Sequence, residues 1–479
     1  MHSGPDMRTL PLLIATLVVL VAASAQASPF DLYGAGARGS AMAAQTADTA
    51  GAAALYYNVG ALTQAVPGVS FGVAVGFDQA AILLHDRPDG YDIPNLGSQT
   101  PTIPTELELR ERSDTEGLGT FYTITIGAVT NLGTERFRAG LLLAMPVGGD
   151  ASTWFVDERE RLFSNQLHWS VIGERTRRMD IELGLAWEPL DRVSFGAGLT
   201  LLPSARVDND VYVPNPTDQE NVDINLTQST GLDWGFTLGA LWEVTESIRI
   251  GLAYRHDVGF EIAGENELQI RGLEDEDEGY PTYQDLAFVP NGSPAIASLG
   301  AAADVGRATV TGDLVWTRWS RWIDTHGEPA GFEDTVSPRI GLEYASSENT
   351  DLRIGFGYDP SPVPDQDGRT NHVDNDRFRT SLGARHGFVV AERTLEVSWF
   401  VQFHLLPERE TDKDELLAWP NCAPGVETLC DEVDDNLVDP RTGSPVAGVE
   451  GLQTGNPGFP GWVSGGWLAA AGVEARWSF

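Results

Sequence analysis

Residues 351–359 read Asp-Leu-Arg-Ile-Gly-Phe-Gly-Tyr-Asp, and this stretch shows the pattern that decides the fold. Apolar or aromatic side chains stand at every second position, and charged residues or glycines stand between them. A period of two is typical of a β-strand that has one apolar and one polar face. The same alternation recurs over 180–188, 233–243 and 395–404, so we expect strands to dominate the chain.

About fourteen such strands follow one another from residue 67 to the end of the chain. We predict them near 67–86, 114–131, 136–149, 166–188, 191–206, 222–244, 247–263, 291–305, 307–322, 335–346, 350–360, 375–389, 392–406 and 462–479. The links between them alternate strictly between tight turns and long connections. An outer-membrane barrel has this arrangement, with short turns at one rim and long loops at the other, whereas a soluble sandwich has no reason to sort its loops in this way. The sequence therefore predicts an all-β fold, a transmembrane antiparallel β-barrel of about 14 strands.

The composition excludes several other classes of protein. The chain has 479 residues, with 69 Asp and Glu against 31 Lys and Arg, and its formal net charge is −38. Such a charge argues against binding to nucleic acid or to an anionic membrane surface. A bundle of membrane helices would need several runs of about 20 apolar residues, and only the N-terminus carries one.

The N-terminal run has the features of an export signal. Leu10 to Ala25 are almost wholly apolar, follow Arg8, and end in the small-x-small sequence Ala25-Gln26-Ala27. We therefore expect residues 1–27 to be a signal peptide, with the mature chain starting near Ser28. The alternative is a retained membrane anchor, which is disfavoured because the run is short and lacks a stop-transfer flank.

Two cysteines, Cys422 and Cys430, lie close together in a polar stretch rich in Pro, Asp and Glu. In an oxidising compartment this spacing predicts a disulfide that closes a small loop. A metal-binding pair is the weaker interpretation, since no His or further Cys lies nearby. We expect no metal and no cofactor.

Three arginines share one face of a predicted strand. Arg377, Arg379 and Arg385 stand at positions of equal parity, and we expect them to face the lumen. An arginine offers paired donors that suit a carboxylate, so the three form a candidate ligand-binding site. The alternative is an internal salt network with Glu343, Glu396 or the N-terminal segment.

Residues 28–66 do not have the strand pattern. They contain Gly34-Ala35-Gly36-Ala37-Arg38-Gly39 and, later, Tyr56-Tyr57-Asn58-Val59-Gly60-Ala61-Leu62. This stretch resembles the N-terminal hatch of the FadL/TodX family of outer-membrane transporters for long-chain fatty acids and aromatic hydrocarbons. Residues 313–320, 358–365 and 374–377 resemble further motifs of that family. In the hatch motif this chain has Asn58, Val59 and Gly60 where the family usually has Asn-Pro-Ala.

The resemblance implies a division of the chain and a route for a ligand. It implies a hatch over 28–66 that plugs the lumen of a barrel over 67–479, capture of the ligand in the outer loops, and sideways exit at a kink in the third strand. In this chain that strand carries Pro146, Gly148 and Gly149, and both residue types disturb a β-ladder. The alternative is that these residues only end the strand. Apolar contacts to the ligand are expected from Phe30 and Leu32 in the hatch and from aromatic residues of the outer loops, namely Trp154, Phe155 and Phe163.

From these features we expect a passive channel rather than an enzyme, in the outer membrane of a Gram-negative bacterium. The expected ligand is a long-chain fatty acid or another hydrophobic small molecule; the alternatives are an aromatic hydrocarbon channel or a non-transporting scaffold or porin. A lipid hydrolase is disfavoured because the chain has no G-x-S-x-G motif. The other expected partners are outer-membrane lipid and, because the chain ends in the aromatic Phe479, the barrel-assembly machinery. We expect a monomer that binds no nucleic acid.

The acidic run 274–278 has two possible interpretations, a divalent cation site or a solvated outer loop. Clustered carboxylates are suited to a divalent cation, since calcium and magnesium prefer oxygen ligands. The alternative, a solvated outer loop, is the favoured interpretation.

Overall fold

The computed structural model describes residues 29–85, 119–150, 168–169, 179–203, 205–213, 222–259, 262–270, 282–288, 293–323, 329–368, 370–390, 392–414, 458 and 460–479. Its main body is a closed barrel of 14 antiparallel strands, as predicted. In chain order the barrel strands are β1 (Gly68–Leu84), β2 (Gly119–Thr130), β3 (Phe137–Asp150), β5 (Asp180–Leu190), β6 (Val193–Leu202), β9 (Asp233–Glu243), β10 (Ile248–Arg255), β13 (Ile296–Val305), β14 (Ala308–Thr317), β15 (Thr335–Ser347), β16 (Thr350–Asp359), β18 (Arg377–Val390), β19 (Arg393–Asp412) and β20 (Gly461–Ser478).

The barrel closes because its last strand pairs with its first. β1 is hydrogen-bonded to β2 on one side and to β20 on the other, with Gly68 opposite Ser478 and Leu84 opposite Trp462. Closure leaves no sheet edge, which hydrocarbon could not satisfy. The outward positions carry exposed apolar side chains, and Trp187, Trp242 and Tyr344 are exposed near the short turns, where an aromatic girdle is expected.

Among the described residues, six further strands lie outside the barrel. β7 (Ala205–Val213), β8 (Val222–Thr230), β11 (Ile262–Ile270) and β12 (Thr282–Phe288) form a four-stranded sheet, and β4 (His168–Trp169) pairs with β17 (His372–Val373).

The separate sheet corrects part of the predicted strand pattern. The single strand predicted over 222–244 is wrong, because β8 belongs to the outer sheet and only β9 belongs to the barrel. The connections predicted over 207–221 and 264–290 contain strand residues. Period-two alternation marks a strand in either sheet, so the pattern alone does not show where the chain leaves the barrel wall.

The N-terminal segment lies in the lumen and is helical. It contains short α-helices at Pro29–Tyr33, Gly36–Met42 and Ala54–Tyr57 and 3₁₀-helices at Gly51–Ala53 and Val59–Gln64. We call its described part, residues 29–66, the hatch. Among the described residues, no helix has the length and apolar character that a membrane crossing needs.

Glycines of the barrel wall allow the hatch backbone to come unusually close. A Cβ atom built on Gly251 would lie 2.1 Å from the Thr46 carbonyl oxygen, and one on Gly341 would lie 2.4 Å from that of Met42. A Cβ on Gly239 would lie 2.2 Å from the Asn58 Oδ1 atom. Any larger residue at these three positions would displace the hatch or the wall. Glycine therefore allows the barrel wall to pack directly against the hatch backbone.

We predict that Gly251→Val loosens the hatch without preventing barrel assembly. The added side chain overlaps the Thr46 carbonyl, so the free energy of unfolding should fall by about 1–3 kcal/mol, and ion conductance in planar bilayers should rise. The matched control is Gly231→Val, because a Cβ atom at Gly231 meets nothing within 4 Å. Equal conductance and stability in the two variants would contradict a tight hatch–wall contact.

Candidate functional site

The hatch motif is fixed by the side chain of Asn58, which is buried. Its amide donates to the Thr46 carbonyl at 2.8 Å and to the Ala240 carbonyl of β9 at 2.9 Å. Its Oδ1 atom accepts from the Gly60 backbone N–H at 3.0 Å and so caps the 3₁₀-helix Val59–Gln64. The residue therefore ties two parts of the hatch to each other and to the wall. Gly60 lies against the Gly239 backbone. A Cβ atom built on Gly60 would lie 2.9 Å from the Ala240 backbone nitrogen and from the carbonyl carbon and oxygen of Gly239.

The start of the hatch is held by a buried ionic cluster. Asp31 accepts from the Arg255 guanidinium of β10 at 2.5 Å and from the Tyr56 hydroxyl at 2.8 Å. Arg255 also contacts Glu182 of β5 at 3.3 Å and lies 4.0 Å from the centre of the Tyr56 ring. The Ser293 hydroxyl is a further donor to Asp31. Because each charge has an opposite partner, burial of this cluster is tolerated.

A second ionic cluster fixes the middle of the hatch. Arg38 donates to Asp48 at 2.6 Å and to Glu343 of β15 at 3.1 Å. Glu343 also accepts from Arg353 of β16 at 2.6 Å. Asp313 of β14 accepts from three hatch donors in residues 45–46 at 2.6–2.9 Å. Asp313 of β14 and Glu343 of β15 therefore hold the middle of the hatch.

Arg377 and Arg379 of β18 form a different arrangement. They are 7% and 5% exposed, and Arg377 lines a lumenal cavity together with Arg339, Asp359 and Tyr57. Asp359 pairs with Arg339 at 3.1 Å. Among the described residues, Arg377 Nη1 and Arg379 Nε and Nη2 have no hydrogen-bond partner. A buried cationic donor without a partner costs several kcal/mol in general, so this corner of the cavity is suited to an anion.

Arg385 lies apart from these two arginines. It donates to Asp351 at 2.5 Å and to Glu396 at 2.7 Å, so it belongs to a paired network. Between it and Arg379 the strand contacts the hatch, where the Ser381 hydroxyl donates to the Ala41 carbonyl at 2.8 Å. Six residues of a strand span roughly 20 Å. The hatch therefore separates Arg385 from the other two predicted site residues.

An apolar cluster adjoins the two unpaired arginines. Leu32 and Tyr33 of the hatch pack into it with Trp169 and Trp462, which are almost fully buried. The Tyr33 ring lies 5.5 Å from that of His404, the strand partner of Arg379. The predicted residue Phe30 packs instead into a second cluster, with Leu142 and Ala144 of β3 and Ala186 of β5.

The third barrel strand is irregular in its second half. Within the described residues, β3 pairs with β5 from Phe137 to Ala144 and with β2 as far as Asp150. The register with β2 shifts where Pro146 stands opposite Thr123 and Gly148 opposite Tyr122. The Pro and Gly residues thus lie at an irregular part of the wall, beside the Phe30 cluster.

Lys413 forms hydrogen bonds to the outer connection between β16 and β18, beside the apolar cluster. Its ammonium donates to the Gly368 carbonyl at 2.7 Å and the Thr370 carbonyl at 2.5 Å, and lies 5.0 Å from the centre of the Trp462 ring. Burial lowers the pKa of Lys413 to about 7, and the nearby carboxylate of Asp367 only partly offsets this.

Several sequence predictions fall outside the described residues. These are Cys422 and Cys430, the loop aromatics Trp154, Phe155 and Phe163, and the acidic run 274–278. Conversely, no sequence pattern predicted that Asp31 pairs with Arg255 or that Trp169 lies in the lumen. The alternation along β10 places Arg255 on the inward face, but a single inward charge does not reveal its partner.

A closed barrel with an apolar outer surface and a plugged lumen defines the class of outer-membrane β-barrel proteins. Residues 163–399 match the model of a family described as outer membrane protein transport protein (OMPP1/FadL/TodX). The chain is similar to this family over almost half of its length, and its place is the outer membrane of a Gram-negative bacterium.

Individual relatives are distant and match only part of the chain. The long-chain fatty acid transport protein of Escherichia coli K12 is 27% identical over 195 residues, which cover 34% of this chain and 41% of that protein. The protein of the same description from Salmonella typhi is 25% identical over 198 residues, 35% of this chain and 42% of its own length. The chain thus spans about two fifths of the length of the curated relatives it matches.

Two solved structures share the fold over nearly the whole chain. A Pseudomonas aeruginosa FadL homologue has a TM-score of 0.58 at 17% identity, covering 95% of this chain and 99% of that one. The Pseudomonas putida toluene transporter TodX has a TM-score of 0.50 at 14% identity, covering 94% and 99%. At these identities the likeness establishes the fold alone.

We predict that Asn58→Ala destabilises the hatch because it removes two donated bonds and one accepted bond from a buried site. The free energy of unfolding should fall by about 1–3 kcal/mol, measured by urea titration of the protein in vesicles. Asn131→Ala is the matched control, since Asn131 accepts a similar bond from Gly133 in an exposed turn. Equal losses in the two variants would contradict a central role for Asn58.

Proposed function

We propose that the protein is an outer-membrane channel for passive uptake of hydrophobic small molecules, and that its ligands are long-chain fatty acids. The observation that carries the choice of ligand is the set of buried guanidinium N–H donors of Arg377 and Arg379 that have no hydrogen-bond partner among the described residues, beside an apolar cluster. A fatty acid has one anionic end and one apolar chain, and this site offers a partner for each. A neutral aromatic hydrocarbon would fill the apolar part but leave these donors unsatisfied.

The proposed route has three steps. The ligand enters from the outer connections and its carboxylate binds at Arg377 and Arg379, with its chain against Leu32 and the neighbouring aromatic residues. The start of the hatch then moves, which requires the ion pair between Asp31 and Arg255 to break. The ligand leaves sideways through the wall near Pro146 and Gly148, where the register of β3 against β2 shifts. Transfer is driven only by differences in binding, and no enzymatic step is involved.

The first test separates a ligand site from a structural salt network. Arg377→Gln and Arg379→Gln should each weaken binding of a long-chain fatty acid by roughly tenfold or more, since a hydrogen bond to a charged group contributes about 1.5–3 kcal/mol. Binding of the alkane of equal chain length should change little. Both affinities can be measured by displacement of a fluorescent probe from the purified barrel.

Stability supplies the second readout for the same variants. Removing a buried guanidinium whose donors lack hydrogen-bond partners should leave the free energy of unfolding unchanged or raise it, whereas breaking a salt network should lower it. Arg136→Gln is the control, because Arg136 lies in an exposed turn and its side chain is 56% exposed. Equal loss of fatty acid and alkane binding, or marked destabilisation, would rule against the carboxylate site.

The second test concerns the exit. Replacing Pro146, Gly148 and Gly149 together by Thr, Thr and Val should let β3 continue as a regular strand, because Pro lacks an N–H donor and Gly favours irregular strands. Uptake of labelled fatty acid into liposomes should then fall sharply while the barrel still assembles. Gly312→Thr in the regular strand β14 is the control, and undiminished uptake by the triple variant would exclude the lateral route.

A further inference from the structure

Three potential metal ligands meet at the outer end of the barrel, away from the lumenal site. They are His85, directly after β1, and Glu410 and Asp412 at the end of β19. One ligand atom from each side chain can be chosen so that all three atoms lie within 4.8 Å of one another. Among the described residues, this is the single group of His, Cys, Asp and Glu side chains with that property.

The backbone holds the three residues in this arrangement. β20 runs between β1 and β19, and its first residue, Gly461, is opposite Asp412. The His85 backbone N–H donates to the Gly461 carbonyl at 3.0 Å. A Cβ atom on Gly461 would lie only 2.9 Å from His85 Nδ1, so the imidazole reaches across the strand through the space that glycine leaves.

The spacing agrees with coordination by one small cation. His85 Nδ1 and Asp412 Oδ1 are 3.5 Å apart. Zinc binds nitrogen and oxygen ligands at about 2.0–2.2 Å, and two such ligands on a tetrahedral centre lie roughly 3.4 Å apart. Glu410 is two residues before Asp412 on the same exposed face, and its carboxylate has to move little to complete a set of three.

We propose that His85, Glu410 and Asp412 bind a divalent transition metal ion of the zinc type. The imidazole favours such an ion over magnesium or calcium, which prefer oxygen ligands alone. With three protein ligands, one coordination position stays open to water. The bound ion connects β1 to β19 across β20 and thereby fixes the strand ends from which the chain continues into residues 86–118 and 415–457.

The test is zinc binding to the full-length, tag-free protein in detergent, measured by isothermal titration calorimetry and by the unfolding temperature with and without zinc chloride. We expect one zinc ion per chain and a raised unfolding temperature. His85→Gln, Glu410→Gln and Asp412→Asn should each weaken zinc binding by tenfold or more and remove the shift. Magnesium chloride should give no shift.

The chain contains a matched control for an ordinary His–Asp contact. His256 Nδ1 and Asp257 Oδ1 are also 3.5 Å apart and partly exposed, yet no third ligand joins them among the described residues. His256→Gln should leave zinc binding unchanged. Absence of zinc binding to the wild type, or equal binding by His85→Gln, would overturn the proposed site, and neither result bears on fatty acid uptake.

Discussion

The structure depends on one constraint: hydrocarbon offers no hydrogen bonds to a backbone. The wall meets this constraint by closing β20 onto β1, but the hatch is irregular and lies at the same depth. Its backbone groups must find partners in the lumen. Asp313 accepts from Gln45 and Thr46, and the Gln402 amide donates to the Tyr33 carbonyl. Many polar residues of the lumen therefore serve the plug, which explains why a membrane barrel carries so many inward charges.

The lumenal charges fall into two groups, those that lie beside an opposite charge and those whose donors stay unsatisfied. Arg38, Arg255 and Arg385 each face carboxylates and are neutralised locally. Within the part of the chain that the structure describes, Arg377 and Arg379 retain donors without hydrogen-bond partners, although the whole chain has a net charge of −38. A strongly acidic protein can thus present a cationic site, because the excess of acid lies elsewhere and water screens exposed charges from a buried cavity. Net charge is a poor guide to the ligand of such a channel.

The sequence predicted the barrel well because alternation and loop lengths are local properties. It predicted the inward position of Arg377, Arg379 and Arg385 for the same reason. It did not predict that the hatch divides them, since that depends on where Ala41 contacts Ser381 in three dimensions. Nor did it distinguish β8 from β9, because both alternate and only a short break near Gly231 separates them. Local periodicity does not predict contacts between residues that are distant in the chain.

The two kinds of hatch contact suggest which part of the plug can move. The glycine-assisted contacts with the wall involve hatch residues 41–60, where backbone meets backbone and any shift requires repacking. The helix Pro29–Tyr33 is held differently, by the ion pairs of Asp31, by hydrogen bonds and by apolar packing of its side chains. Such side-chain contacts can be exchanged for contacts with a ligand, whereas interlocked backbones cannot. A gate therefore needs to release only the first turns of the hatch. Because Phe30 belongs to the same apolar cluster as Leu142 and Ala144 of β3, a small movement there would, on the proposed route, open the wall beside the register shift at Pro146 while the rest of the plug kept the lumen closed.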